Sequence, residues 1–414
     1  MSIHDIVGQY LLSRTECIPL VASENAVSGA VRKLCASEIG ERYCVGPTAL
    51  WRYPKEAHLE KIVVRTQELA SKIFGGKATT VAPLSGSQCV AAIVLGICKP
   101  GDLVMGVSHF DGGHWALRGM ADKLQCRFEP LPLTGRATVD CGRLAQLIKS
   151  HRPTLVMVDQ SHSVDPIPPE SIRSVLPASV PLFYDVSHFM GLVPHKYLAN
   201  PFGRGVTVLH GSTHKSLFGP QKGMIVFGNE ADPDMIAKIS SASEKILSSN
   251  THLHHVAALG QALEEYEAFG AAYSPTVVKH ACLFAQTLQS KGLEVLSAQH
   301  AFTESHQILV NVDGNAEAMW NGLTAAGILT NLIHLPREDA LGFRFGLAET
   351  ARLGYTAPEI EELGLLVADM ISGRRDAQSA KTSVKALSKR PRSMKFCFEE
   401  TSDRPVNDIA SSKL

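Results

Sequence analysis

Val208-Leu209-His210-Gly211-Ser212-Thr213-His214-Lys215-Ser216-Leu217-Phe218-Gly219-Pro220-Gln221-Lys222-Gly223 places a lysine just after an apolar, β-branched run and a Ser-Thr-His triplet. A Gly-Pro turn and a second glycine follow it. Thirty residues upstream, Phe183-Tyr184-Asp185-Val186-Ser187-His188 sets an acid at the end of another apolar run. In an open α/β sheet, ligands gather outside the carboxyl ends of the strands, where such side chains lie.

The surroundings repeat this pattern. From Thr79 to about Gly228, short apolar runs at 103–107, 155–158, 182–184, 206–209 and 224–227 alternate with helical stretches such as 87–97 and 144–150. That alternation predicts an α/β domain with a mostly parallel sheet. Helical periodicity is also expected at 30–39, 59–73 and 255–269. Further on, helices at 277–291, 316–326 and 358–371 and strands at 308–312 and 343–345 indicate a smaller α+β domain. The expected boundaries are an N-terminal helix and arm over 1–25, a large domain over 26–270, a small domain over 271–373 and a polar, flexible tail over 374–414. That tail carries Arg374, Arg375, Lys381, Lys389, Arg390 and Arg392, read as a solvated end.

The bulk numbers agree with a soluble globular chain. At roughly 150 residues per domain, 414 residues make two or three domains, and the chain is 45% hydrophobic and 19% charged. Lys+Arg and Asp+Glu both total 40, so nothing points to nucleic acid or membrane as a bulk partner. Nine scattered cysteines without a CxxC pair suit reduced intracellular thiols. No metal site is assigned. The N-terminus lacks a secretion signal, and no apolar run reaches the ~18 residues a membrane span needs. A cytoplasmic enzyme is expected.

Lys215 and Asp185 together fit one chemistry. A lysine forms a Schiff base with pyridoxal phosphate (PLP), and an aspartate keeps the pyridine nitrogen protonated, so that the ring becomes an electron sink. Alone, Lys215 would be a surface lysine after a strand, Asp185 a helix N-cap and His188 a buried, hydrogen-bonded histidine. Ser85-Gly86-Ser87-Gln88 opens a strongly helical segment and offers a phosphate site, although Ser-Gly-Ser is also ordinary helix-start chemistry. Asp111-Gly112-Gly113-His114-Trp115 is a glycine-rich turn that can set His114 against a flat ligand. Arg344, in the apolar run Gly342-Phe343-Arg344-Phe345-Gly346, needs a buried partner. An amino-acid carboxylate or a structural salt bridge would serve.

These pieces, in this order, resemble serine hydroxymethyltransferase and its relatives among the PLP enzymes of the aspartate-aminotransferase fold (fold type I). The resemblance covers roughly residues 15–372 and includes Leu20-Val21-Ala22-Ser23-Glu24-Asn25. It implies that Lys215 binds the cofactor covalently, Asp185 pairs with the pyridine nitrogen and His114 stacks on the ring. Ser85, Gly86, Ser87 and Ser212 would contact the phosphate, in a pocket that also includes His214. Ser161 and His188 would lie near the cofactor 3′-oxygen. Ser23 and Arg344 would bind the substrate carboxylate. Tyr43 and Tyr53 match two active-site tyrosines supplied across a homodimer.

The departures also inform. Folate-dependent members carry Glu-Gly-Tyr-Pro-Gly-Lys-Arg-Tyr-Tyr-Gly-Gly after the first tyrosine. Here the run is Val45-Gly46-Pro47-Thr48-Ala49-Leu50-Trp51-Arg52-Tyr53-Pro54-Lys55. Val45 cannot do the acid–base work of the glutamate it replaces, and Arg52 replaces a tyrosine. Leu247-Ser248-Ser249-Asn250-Thr251-His252 stands where a glycine-rich phosphate loop is usual. The segments look closer to L-threonine transaldolases of natural-product pathways, in Asp111–His114, Trp51–Pro54, Gly219–Gly223, Ser249-Asn250 with His252, Ser305-His306-Gln307 and Thr330-Asn331. The implied reaction is retro-aldol cleavage of L-threonine to acetaldehyde and a glycyl carbanion, which adds to an acceptor aldehyde to give a β-hydroxy-α-amino acid. The alternatives are folate-dependent hydroxymethyl transfer, a plain threonine aldolase and a scaffold protein that has lost catalysis.

Overall fold

The structure, a computed structural model, describes residues 1–44, 56–195, 197–298 and 301–398. Tyr53, Val45, Trp51 and Arg52 lie outside the described residues. Seven strands form the central sheet: β1 (Ala78–Thr80), β2 (Leu103–Gly106), β3 (Arg127–Pro130), β4 (Leu155–Val158), β5 (Leu182–Asp185), β6 (Val208–Ser212) and β7 (Gly223–Phe227). Their spatial order is β1-β7-β6-β5-β4-β2-β3. Strands β3, β2, β4, β5 and β6 are parallel, and β7 runs against both its neighbours. This is the α/β architecture expected.

The inner strands are fully buried, as apolar runs covered on both faces must be. Side chains alternate between the faces. Val156, Tyr184 and Leu209 enter one core, and Leu155, Phe183 and Val208 enter the other. Strand β3 escaped the sequence reading because it is an edge strand. Arg127 and Pro130 are exposed there, and an edge tolerates the missing proline N–H.

The chain passes from β2 out to β3 and then crosses back to β4 on the other side of β2. The strand order therefore reverses between β2 and β4, which opens a crevice at their carboxyl ends.

The smaller domain is built on a four-stranded antiparallel sheet. Its order is Asn331–His334, Leu341–Gly346, Gln307–Asn311 and Glu294–Leu296. The N-terminal arm is stitched to this domain. Ile18–Pro19 pairs with Ile328–Leu329, and Val21 bridges Phe345. Ser23 is thereby delivered beside the strand that carries Arg344.

Two expectations need correction. Separate helices were expected at 255–269 and 277–291, but one helix runs from Leu253 to Ser290. Pro275 removes one N–H and leaves the Ala271 carbonyl without its usual partner, while packing on both domains holds the helix together. The helix therefore crosses the boundary expected at 270/271. The tail expected from 374 is also structured as far as Phe398. Ala377–Ser388 is a helix with Ala380, Val384 and Leu387 buried on the small domain. Its flanking charges are paired: Arg390 with Glu362 at 2.7 Å and Arg392 with Glu359 at 2.5 Å.

Candidate active site

The carboxyl ends of β4, β5 and β6 and the start of the Gly86–Ile97 helix surround an open cavity of about 210 Å³. Ser85, Gly86, Ser87, His114, Ser161 and Asp185 line it, and so do His188, Ser212, His214 and Lys215. The fold thus brings together residues that lie up to 130 positions apart in the chain, Ser85 to Lys215.

One end of the cavity suits an anion. Ser85 caps the helix by accepting the Gln88 N–H at 3.2 Å, and the Gln88 side chain accepts the Leu84 N–H at 2.8 Å. The first N–H groups of a helix have no intrahelical acceptor and carry the positive end of its dipole. Gly86 leaves them open. A Cβ there would lie 2.7 Å from Ser187 Oγ and 3.1 Å from the Ser212 nitrogen. The hydroxyls of Ser85, Ser87 and Ser212 add further donors.

Asp185 ends β5 and is nearly buried. One carboxylate oxygen accepts the Ser187 N–H at 2.7 Å, and the other lies 3.8 Å from His210 Nδ1. Burial lowers the His210 pKa, although Asp185 pulls the other way, so the contact is not an ion pair. The Asp185 carboxyl therefore has no cationic partner in His210.

Lys215 follows β6. Burial lowers its pKa, Arg344 adds to that and Asp185 opposes it. The backbone behind it is rigid, because Asn25 Nδ2 donates to the Lys215 carbonyl at 2.7 Å and Tyr273 Oη to that of Ser216 at 2.6 Å. These bonds give Asn25 of the arm a structural task.

His114 caps the Trp115–Lys123 helix. Its Nδ1 accepts the Ala116 N–H at 3.1 Å, so the proton of the neutral ring sits on Nε2. Burial keeps the ring neutral. Gly112 makes the preceding turn possible, with φ at +88° and the His162 carbonyl where a Cβ would go. His188 and His214 are also neutral, chiefly through burial and secondly through Lys215, with the His214 pKa lowered to about 4. Each has a buried Nδ1 without a hydrogen-bond partner among the described residues.

Arg344 reaches the site from the small domain. It is 7% exposed, donates to the Ser161 carbonyl at 3.3 Å and to Asn331 Oδ1 at 2.9 Å, and has an unpartnered Nε. Among the described residues it has no carboxylate partner. Burial lowers its pKa to about 10. A buried guanidinium with an idle N–H is built for an anion from outside. Ser23 is half-buried on the arm beside this strand. Tyr43 is 43% exposed and does not line the cavity of its own chain.

The sequence reading missed Asp159, Gln160 and Ser187, which also line the cavity. Asp159 had a visible signal, because Leu155-Val156-Met157-Val158-Asp159 ends an apolar run in an acid just as Leu182–Asp185 does.

Comparison with known proteins places the chain in a family. Residues 1–364 match the family profile described as serine hydroxymethyltransferase. This chain belongs to the serine hydroxymethyltransferase family. Among its relatives are serine hydroxymethyltransferases of Methanopyrus kandleri, 32% identical over 92% of this chain and 91% of that one, and of Korarchaeum cryptofilum, 32% identical over 92% and 93%. A solved structure of L-threonine transaldolase from Pseudomonas fluorescens in its internal aldimine state superposes with a TM-score of 0.90. It is 28% identical, over 97% of this chain and 94% of that one. The family member described here is therefore a fold-type-I, PLP-dependent enzyme of the transferase/aldolase type. The cavity fits that cofactor through an anion cradle at a helix start, a carboxylate, a desolvated lysine and a neutral imidazole.

Proposed function

We propose that this enzyme is an L-threonine transaldolase, which splits L-threonine and passes the glycyl fragment to a second aldehyde. The observation that carries the reading is the likeness to the Pseudomonas fluorescens transaldolase over 97% of this chain. Val45 supports it, since this chain has no carboxylate at the position where folate-dependent members have one.

In this reading PLP, held by Lys215 and Asp185 with its phosphate at Ser85–Ser87 and Ser212, supplies the electron sink for the carbon–carbon chemistry. Arg344 and Ser23 hold the substrate carboxylate, which orients Cα toward Lys215. His188 and His214 are neutral imidazoles able to take the β-hydroxyl proton of threonine. The Cα–Cβ bond then breaks, acetaldehyde leaves and the electron pair stays with Cα. That carbon attacks the carbonyl carbon of the acceptor, and the protonated imidazole returns its proton to the new alkoxide. Loss of the acid at Val45 removes one proton donor that would divert the fragment to glycine. The enzyme works as a homodimer, with Tyr43 and Tyr53 serving the partner's cavity.

The test is L-threonine added to the PLP-loaded protein without folate, with acetaldehyde assayed alone and with a panel of aldehydes. Acetaldehyde release that an acceptor accelerates, with a new amino acid formed, is expected. A second reading, folate-dependent serine hydroxymethyl transfer, is favoured by the 32% identity to chains of that name. Turnover of L-serine only with tetrahydrofolate, and none of L-threonine, would establish it instead.

A further inference from the structure

Asp159 is the cavity acid that neither the lysine chemistry nor the carboxylate clamp uses. It follows the buried strand β4 and stands opposite Val107, which follows β2, where the strand order reverses. Its Oδ1 accepts the Val107 N–H at 3.0 Å, and its carbonyl accepts the His114 N–H at 3.0 Å. One residue therefore ties down both ends of the 107–114 turn that carries His114. Asp159 is only 2% exposed, yet it lines the cavity. With Oδ1 taken, Oδ2 is the oxygen left for a ligand.

We propose that Asp159 is a positioning residue of the cofactor pocket, which braces the His114 turn and donates a hydrogen bond from Oδ2 to the bound cofactor. The proposal rests on reading the cavity as a PLP site.

The electrostatics support a donor. Burial pushes the Asp159 carboxyl well above the usual carboxylate range, Asp185 pushes the same way, and the Val107 N–H only partly opposes them. A neutral acid donates through O–H, whereas a second carboxylate would repel Asp185. The other titratable groups lining the cavity are His114, Asp185, His188, His214 and Lys215. Burial holds the three histidines neutral, so none of them offers Asp159 a cationic partner.

The experiment compares wild type, Asp159→Asn and Asp159→Ala, each titrated with PLP across about pH 6–10, reading the dissociation constant and the visible band. Asparagine keeps an acceptor for Val107 and a donor toward the cavity but cannot ionise. It is expected to hold PLP within about threefold of wild type, while alanine weakens binding about tenfold, the scale of one lost hydrogen bond. Wild type is expected to loosen its hold as rising pH ionises Asp159, whose pKa burial raises, a break absent from Asp159→Asn. That break decides the matter even if the alanine variant does not fold. Asparagine behaving like alanine, or the same pH-dependent break in wild type and Asp159→Asn, overturns the proposal while the PLP site stands. Failure of wild type to bind PLP at all overturns both.

Discussion

In its proposed role Lys215 must shed a proton from its amine before it can bond to the cofactor. Burial lowers its pKa below the ordinary 10.5 and Asp185 raises it again, so the neutral fraction reaches its plateau at a lower pH than for a free lysine. The rate at which apo-protein captures PLP should therefore rise with pH and level off below 10.5. In Asp185→Asn the plateau should arrive at still lower pH, because the carboxylate that favours the ammonium is gone. Stopped-flow absorbance across pH reads both, and a rate still climbing at 10.5 in wild type would contradict the assignment. Asp185 and Arg344 were legible because each ends or interrupts an apolar run with a charge that needs a reason, and Lys215 because a Ser-Thr-His triplet and a Gly-Pro turn frame it. Asp159 ends such a run too, but it went unread because nothing in the chain says that the strands ending at Val158 and Gly106 stand side by side. That adjacency is a product of the crossover and is invisible to local pattern.

Single elements are held together by side chains that cross between them. Arg352, at the end of the Ala348–Arg352 helix, pairs with Glu265 of the Leu253–Ser290 helix at 2.6 Å, with both side chains fully buried. Glu265 also accepts from Ser28 Oγ at 2.6 Å, and the guanidinium lies 3.8 Å over the Phe218 ring. Removing either partner strands a buried charge. Glu265→Leu or Arg352→Met alone should cost about 3–5 kcal/mol, and the double change much less than the sum. Urea unfolding of the four proteins reads this, and additive losses would show that the pair is not coupled. Among the elements, Gly86–Ile97 was legible because Ser85 and Gln88 form a recognisable start before an apolar face. The Ala377–Ser388 helix was not, because lysines and serines outnumber its apolar stripe of Ala380, Val384 and Leu387. The break expected between the 255–269 and 277–291 helices failed because periodicity is a local signal and the packing that carries one helix from Leu253 to Ser290 is tertiary.

The whole molecule is expected to be a dimer whose cavities borrow Tyr43 from each other. Mixing inactive Lys215→Ala and Tyr43→Phe chains under exchange conditions tests this directly. If Tyr43 serves the partner, each mixed dimer has one complete site, and about a quarter of wild-type activity should return. If Tyr43 serves its own chain, nothing returns. The Leu253–Ser290 helix bears on how such an assembly moves. At a rise of about 1.5 Å per residue, its 38 residues make a rod of nearly 60 Å that belongs to both domains at once. A hinge between the domains would have to bend that rod, and its weak point is the turn around Ala271, whose carbonyl Pro275 leaves bare. The small domain, with Arg344, is therefore carried like a jaw on a stiff spring. A continuous helix of this kind favours small flexures over a wide swing, so the spacing between Arg344 and Lys215 is expected to be largely set before any substrate arrives.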